Sequence, residues 1–226
     1  SRGLGDVYKR QGYKDEELLR LRQKAEEFNK QRVSEDTLAE ELKESIHDPV
    51  THITKIPVVF EERDLLDGRI VMRAPRDLSQ LTDDAVRQQF LMESKPQFVY
   101  ELPYLPFGLT FMLTEIQGDE ARIEQMFPYM VNTVKTVGPN IRILSTGKKV
   151  IHGIYVRWFD AIAQAITEPS YRKVFVFSLD GKTTIGCITC PSRLKKRYQP
   201  IMEEMMETLN IPKKAAEEGI DCLLYT

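Results

Sequence analysis

YRKVFVFSLDGKTTIGCITC, residues 171–190, contains the clearest structural signal in this chain. Two runs rich in β-branched and aromatic residues, Tyr171 to Leu179 and Thr183 to Cys190, lie on either side of Asp180-Gly181. Such residues favour strands, and glycine accepts the positive φ that a tight hairpin turn requires. The segment therefore predicts an antiparallel strand pair.

Further strands are predicted on the amino-terminal side of this hairpin. Asp67-Gly68 gives a second hairpin signal between two of them, and a turn is predicted at Thr146 to Lys149. The predicted strands are Pro57 to Arg63, Arg69 to Ala74, Gln97 to Leu102, Phe107 to Ile116, Ile141 to Ser145 and Val150 to Phe159.

Three segments of the same region have helical periodicity. Thr82 to Phe90 is a short helix with Thr82 as its N-cap, Ile123 to Val137 is an amphipathic helix that contains Pro128, and Tyr198 to Leu209 is the closing helix. Helices packed on a mostly antiparallel sheet predict an α+β fold in which one face of the sheet is buried under helices and the other is either open or covered as well.

The remaining segments divide the chain into regions. Residues 1–11 and 222–226 back-translate to an inverted DNA repeat typical of a transposase adapter, so we interpret both as artefacts. Residues 12–55 are predicted to form an N-terminal helical extension or the remnant of an upstream domain. Residues 56–211 form the predicted α+β domain, and residues 212–226 a polar tail that ends in the adapter.

Composition excludes several classes of function. The formal net charge of −2 is unlike that of a nucleic-acid-binding protein, which is usually basic. No apolar run approaches the roughly 18 residues that a membrane span needs. We expect no cofactor and no metal, and the composition leaves the compartment open.

Five short segments occur in an order that resembles a known superfamily. They are Asp67-Gly68-Arg69 leading to Ala74-Pro75, Lys95 to Tyr100, Asn140 to Ile143, Phe175 to Gly181, and Cys190-Pro191 before the last helix. Over residues 56–211 the chain resembles the PsbP-like superfamily, in particular its bacterial branch of DcrB-like lipoproteins and EagR-type chaperones. This branch is related to photosystem II PsbP and the Ran-binding Mog proteins. The resemblance implies an α/β/α sandwich and a family that mostly binds proteins without catalysis.

Possible reactive groups are few and scattered. Cys187 and Cys190 have CxxC spacing, but they end a predicted strand, where residues three apart face opposite ways, so we interpret them as structural. His47 and His52 match no metal-ligand spacing. An enzyme would have to assemble its site from dispersed residues such as His152, Asp160 and Tyr171.

The leading hypothesis is therefore a non-catalytic protein-binding domain, an adaptor or a chaperone, with a protein partner of unknown identity. Candidate partner-binding residues are Tyr100, Tyr104 and Phe107, which lie around two prolines, and Met205 and Met206, which would form an apolar groove if both faced away from the sheet. The alternatives are a cell-envelope lipoprotein domain and the dispersed-site enzyme.

Overall fold

The computed structural model describes residues 45–90, 95–138, 140–165 and 168–212. Its centre is a seven-stranded sheet in the order β5-β6-β7-β11-β10-β9-β8, in which every neighbouring pair is antiparallel. The eleven strands within these described ranges are β1 (Thr51–Ile53), β2 (Ile56–Val58), β3 (Phe60–Leu65), β4 (Ile70–Pro75), β5 (Ser79–Gln80), β6 (Phe98–Glu101), β7 (Gly108–Gln117), β8 (Ile141–Ile151), β9 (Ile154–Ala163), β10 (Ser170–Leu179) and β11 (Lys182–Pro191). The predicted antiparallel sheet is confirmed.

Two-residue turns join β8 to β9 and β10 to β11. Asp180 and Gly181 both have positive φ, at 52° and 75°, as a type I′ hairpin requires, so the predicted β10–β11 turn is confirmed. The turn predicted at Thr146 to Lys149 is wrong, because those residues lie inside β8. His152 and Gly153 form the β8–β9 turn instead, with φ of 49° and 82°.

Three helices accompany the described strands: α1 (Asp83–Gln89), α2 (Glu120–Val137) and α3 (Lys195–Glu207), with a short 3-10 helix, Ser192–Leu194, before α3. The Thr82 side chain accepts a hydrogen bond from the Ala85 N–H, so the predicted N-cap of α1 is confirmed. Asp119 caps α2 in the same way, through the Arg122 N–H. Pro128 lies inside α2, as predicted.

Helices cover the two faces of the sheet unequally. On the α3 face, α3 packs on β10, β11 and β4 over a large core that includes Phe111, Phe175 and Tyr198. On the α2 face, α2 packs on β8, β9 and β10, with Ile123 and Phe127 against the sheet. The predicted α/β/α sandwich is confirmed, and α2 lies over the β8 side of its face.

Residues 45–55, upstream of Ile56, belong to the same packed unit. Ile46 is fully buried in the α3-face core. Glu204 on α3 accepts hydrogen bonds from the Ile46 N–H and the Ser45 hydroxyl, at 2.9 and 2.7 Å. The helical extension predicted for residues 12–55 lies outside the described residues up to residue 44, and residues 51–53 form β1.

A charged cluster centred on Glu124 attaches α2 to the sheet. Arg157 Nη1 on β9 donates to both Glu124 carboxylate oxygens, at 2.8 and 2.7 Å, and the Tyr155 hydroxyl donates as well. The Arg157 guanidinium also lies over the Phe127 ring, 4.3 Å from its centroid. These contacts, first the hydrogen bond from Tyr155, lower the pKa of the Glu124 carboxyl below its ordinary value of 4.5.

We expect Glu124→Gln to lower the melting temperature at neutral pH but not in strong acid. A carboxyl whose folded pKa is lowered stabilises the fold above its ordinary pKa of 4.5, and that contribution is lost as the pH falls through the lowered pKa. Melting curves of both proteins between pH 7 and pH 3 would measure the difference. Glu115→Gln, at a 90% exposed side chain, is the control with little effect at any pH. A difference that stays constant down to pH 3 would contradict this account.

Candidate functional site

The β6 side of the α2 face bears a groove of about 940 Å³. Its floor is formed by β6, β7, β11 and the start of β10 at Ser170 and Arg172, and of these strands α2 packs on β10. The end of α1 and the loop between β6 and β7 form its walls. The lining residues are Gln89, Phe90, Val99, Glu101–Gly108, Thr110, Glu168–Ser170, Arg172, Cys187, Thr189–Pro191 and Arg193. We call this the floor groove.

Strand register places the floor residues in rows that cross the strands. One row runs from Val99 through Thr110 to Cys187, and its members pair across neighbouring strands. The next row runs from Glu101 through Gly108 and Thr189 to Arg172. Because strands lie about 4.8 Å apart, this second row spans about 14 Å between its outer Cα atoms.

The second row ends in opposite charges. Arg172 is half-buried; its Nε donates to Ser170 Oγ at 3.1 Å, and it forms no ion pair with any residue that the structure describes. Glu101, at the other end, accepts a hydrogen bond from the Gln89 side-chain amide at 2.7 Å. Between them lie a glycine and a threonine. The floor therefore has a cation and a carboxylate separated by neutral, compact residues.

Arg193 and Glu168 form a second charged feature at the Arg172 end of the groove. Arg193 Nε lies 2.5 Å from the Glu168 carboxylate, and both side chains are partly exposed. This pair is locally neutral, so it leaves the charge separation along the floor unchanged.

Cys187 and Cys190 face opposite sides of the sheet and are both free, in agreement with the structural interpretation of their CxxC spacing. Cys187 lies half-buried in the floor groove, whereas Cys190 is 2% exposed. Burial raises the pKa of both thiols. Raised thiol pKa values do not suit a redox pair, which needs a stabilised thiolate.

The position of Cys187 in the floor groove predicts that this thiol and the Cys190 thiol differ in their reactivity. Iodoacetamide should modify Cys187 in the folded protein while Cys190 reacts only after unfolding, with peptide mass spectrometry as the readout. Because the pKa of Cys187 is raised, its alkylation should accelerate at a higher pH than that of a free cysteine. Thr110→Trp, at the residue paired with Cys187, should slow the reaction, and equal rates at both cysteines would contradict the geometry.

The aromatic residues predicted to bind a partner are divided between core and groove. Tyr100 is buried on the α3 face, where its hydroxyl oxygen accepts from the Leu66 N–H. Phe107 lines the groove edge but is buried and stacked on Tyr198, with ring centroids 5.9 Å apart. Tyr104 lines the groove and is partly exposed, and its hydroxyl donates to Asp77 at 2.8 Å. Of these three, Tyr104 is the residue that both lines the floor groove and has part of its side chain exposed.

Met205 and Met206 are part of the α3-face core, at 0% and 1% exposure. The condition for a methionine groove, that both side chains face away from the sheet, is not met. Because α3 lies between the sheet and β4, side chains on more than one side of this helix are enclosed. These methionines fill the core, as their flexible side chains allow.

The dispersed residues proposed for an enzyme are not brought into one accessible site. His152 lies in the β8–β9 turn, where its Nδ1 is 2.9 Å from the Leu209 carbonyl oxygen. Asp160 and Tyr171 do meet, but in the buried core beside Lys173. The pKa of Tyr171 is raised, first by burial and then by Asp160. Asp160 is 2% exposed, so this cluster is closed to substrates.

Within the described part of the chain, no three histidine, cysteine or carboxylate side chains are grouped in a way that could hold a metal ion. His47 and His52 are both exposed. In the same ranges, none of the helices has the length and apolar character needed to cross a membrane.

Sequence reasoning missed the two charged residues at the ends of the floor row and the buried lysine. Lys173 was detectable from the sequence, because alternate residues of a strand face the same side. It therefore points to the core with Tyr171, Phe175 and Phe177 of β10. Arg172 lies in the opposite phase and had no motif around it. Its importance depends on which half of the α2 face is left open, and sequence does not show this.

No protein-family model matches this chain. No curated protein matches it either. Solved structures do: cyanobacterial PsbP (CyanoP) from Synechocystis has a TM-score of 0.48 and 7% identity over 68% of this chain and 92% of that protein. LpqN, involved in cell envelope biogenesis of Mycobacterium tuberculosis, has a TM-score of 0.44 and 12% identity over 69% and 92% of the two chains.

A protein of unknown function from Pseudomonas aeruginosa has a TM-score of 0.41 and 10% identity over 68% of this chain and 97% of its own. Cyanobacterial PsbP thus stands among the structural neighbours of this chain. At these identities the likeness concerns the fold.

Proposed function

We propose that this protein is a non-catalytic binding domain that holds a segment of a partner protein in the floor groove. The observation that carries the proposal is the concave β6 side of the α2 face, lined by apolar, hydroxyl and charged side chains. A groove that combines an apolar surface with a few placed polar groups is the usual form of a binding site. The sequence resemblance to a superfamily that mostly binds proteins supports the same function.

The chemistry of the groove supports binding without catalysis. The buried ion pair of Asp160 and Lys173 is sealed on the opposite face of the sheet from the groove. The more exposed of the two thiols in the groove lining, Cys187, has a raised pKa and is therefore a poor nucleophile at neutral pH. Adaptor or chaperone roles both require such a surface.

Selection of peptides from a phage-displayed random library would test this proposal. Peptides enriched on the wild-type protein should lose binding to Thr110→Trp, whose indole would fill the groove. Thr133→Trp, on the exposed side of α2, is the matched control and should bind as the wild type does. Thr189→Trp provides a second blocked variant, and urea unfolding confirms that each variant is folded.

The proposal is overturned if the selection yields no peptides, or only peptides that bind the wild-type and both blocked variants equally. In that case the floor groove would not be the binding surface.

A further inference from the structure

Charge complementarity along the floor groove identifies the kind of segment that fits it. We infer that the groove recognises an extended peptide bearing one acidic and one basic side chain three to five residues apart, the acid at Arg172 and the base at Glu101. This inference rests on the proposed function and adds the chemistry of the ligand.

The Arg172 end requires an anion. Its guanidinium has five N–H donors, and the structure assigns one of them, Nε, to Ser170 Oγ. A half-buried guanidinium without a carboxylate partner among the described residues has donors left for a bidentate contact. The hydroxyls of Ser170 and Thr189 lie beside it in the groove lining and can complete the hydrogen bonding of a carboxylate.

The Glu101 end requires a cation or a donor. The Gln89 amide already occupies one oxygen of this half-buried carboxylate, which leaves acceptor capacity directed at the groove that both residues line. The nearby Arg193 cation is neutralised by Glu168, so it does not compete for the ligand's acid. The groove is therefore positive at the Arg172 end and negative at the Glu101 end.

The separation of these ends sets the spacing in the ligand. Three strand spacings give about 14 Å between the Cα atoms of Glu101 and Arg172. An extended peptide advances about 3.3 Å per residue, so side chains about four positions apart match this distance. The floor between the ends is compact, since Gly108 has no side chain, and a peptide backbone can lie across it.

Double-mutant cycles on groove-selected peptides test the inference, with fluorescence anisotropy as the readout. Replacing the peptide's acid with its amide should weaken binding to the wild type about tenfold, as loss of a charge-assisted hydrogen-bonded pair does, but should change binding to Arg172→Met little. Replacing the peptide's lysine with norleucine should likewise weaken binding to the wild type but should change binding to Glu101→Gln little. Arg142→Met on β8 and Glu115→Gln on β7 are matched controls that should retain the wild-type pattern.

Two results separate this inference from the function on which it rests. If groove-dependent peptides lack the charge pair, or their acids do not couple to Arg172, the charge inference is overturned while the binding function stands. If no peptide depends on the groove, the proposed function itself fails. Unfolding curves show that Arg172→Met and Glu101→Gln are folded before either conclusion is drawn.

Discussion

Replacing Lys173 with methionine is expected to lower the free energy of unfolding by about 3–5 kcal/mol. Lys173 is fully buried on β10, with its Nζ 3.0 Å from Asp160 Oδ1 and 4.3 Å from the centroid of the Trp158 ring. The substitution leaves the Asp160 carboxylate in the core without its cation, next to the Ser145 hydroxyl at 3.0 Å and the Tyr171 hydroxyl. An uncompensated charge in a low-dielectric core is among the most costly single changes a protein can undergo.

Urea unfolding would measure this loss, and two further variants show its cause. Lys173→Met combined with Asp160→Leu should recover most of the stability, because the double change removes both charges from the core. Lys182→Met breaks an exposed ion pair with Glu115 and should cost less than about 1 kcal/mol. A loss for Lys173→Met no larger than that for Lys182→Met would contradict the buried position of the pair.

Met205→Ala is expected to lower the free energy of unfolding by about 2–5 kcal/mol without affecting peptide binding. Met205 is fully buried between α3 and the sheet, so its truncation leaves a cavity in the α3-face core. Met126→Ala, at a half-buried position on α2, should cost less. The floor groove lies on the other face, which is why binding should persist under conditions where the variant is folded.

Peptide affinity and chemical denaturation of the same samples would test this pair of statements. A Met205→Ala protein that is as stable as the wild type but no longer binds the peptides would show that the methionines belong to the binding surface. That result would contradict the assignment of the floor groove.

Hairpin chemistry made much of the sheet predictable. Asp180-Gly181 marked its turn correctly because an aspartate followed by glycine tolerates two successive positive φ values. His152-Gly153 fulfils the same requirement, and histidine is one of the residues enriched at positive φ. The β8–β9 turn was therefore detectable from the sequence. The prediction instead placed the turn at Thr146 to Lys149 because this segment contains Gly147.

Gly147 has a packing role that only the folded structure shows. It pairs with Trp158 across β8 and β9, and a Cβ on Gly147 would lie 2.4 Å from Cζ2 of that indole ring. The glycine thus makes room for a side chain on the next strand, and it does not mark a turn. Strand pairing that joins residues this far apart in the chain is not visible in a local pattern.

The floor groove was unpredictable for a similar reason. Thr110, Arg172 and Thr189 occupy ordinary outward positions on three strands, and each alone resembles a solvated strand residue. They become a site because α2 packs on the β8 side of the face and leaves the β6 side open. Tyr104, predicted from its proline-flanked loop, is the candidate residue that lies partly exposed in this site.

Amide chemical-shift mapping with a groove-selected peptide tests the central claim most directly. If the floor groove is the binding surface, the largest shifts fall on residues 99–110, 170–172 and 187–189, while β8 and the outer side of α2 are unaffected. Shifts concentrated on β8 or around Tyr129, the 73% exposed tyrosine of α2, would show that partners bind elsewhere and would contradict the account.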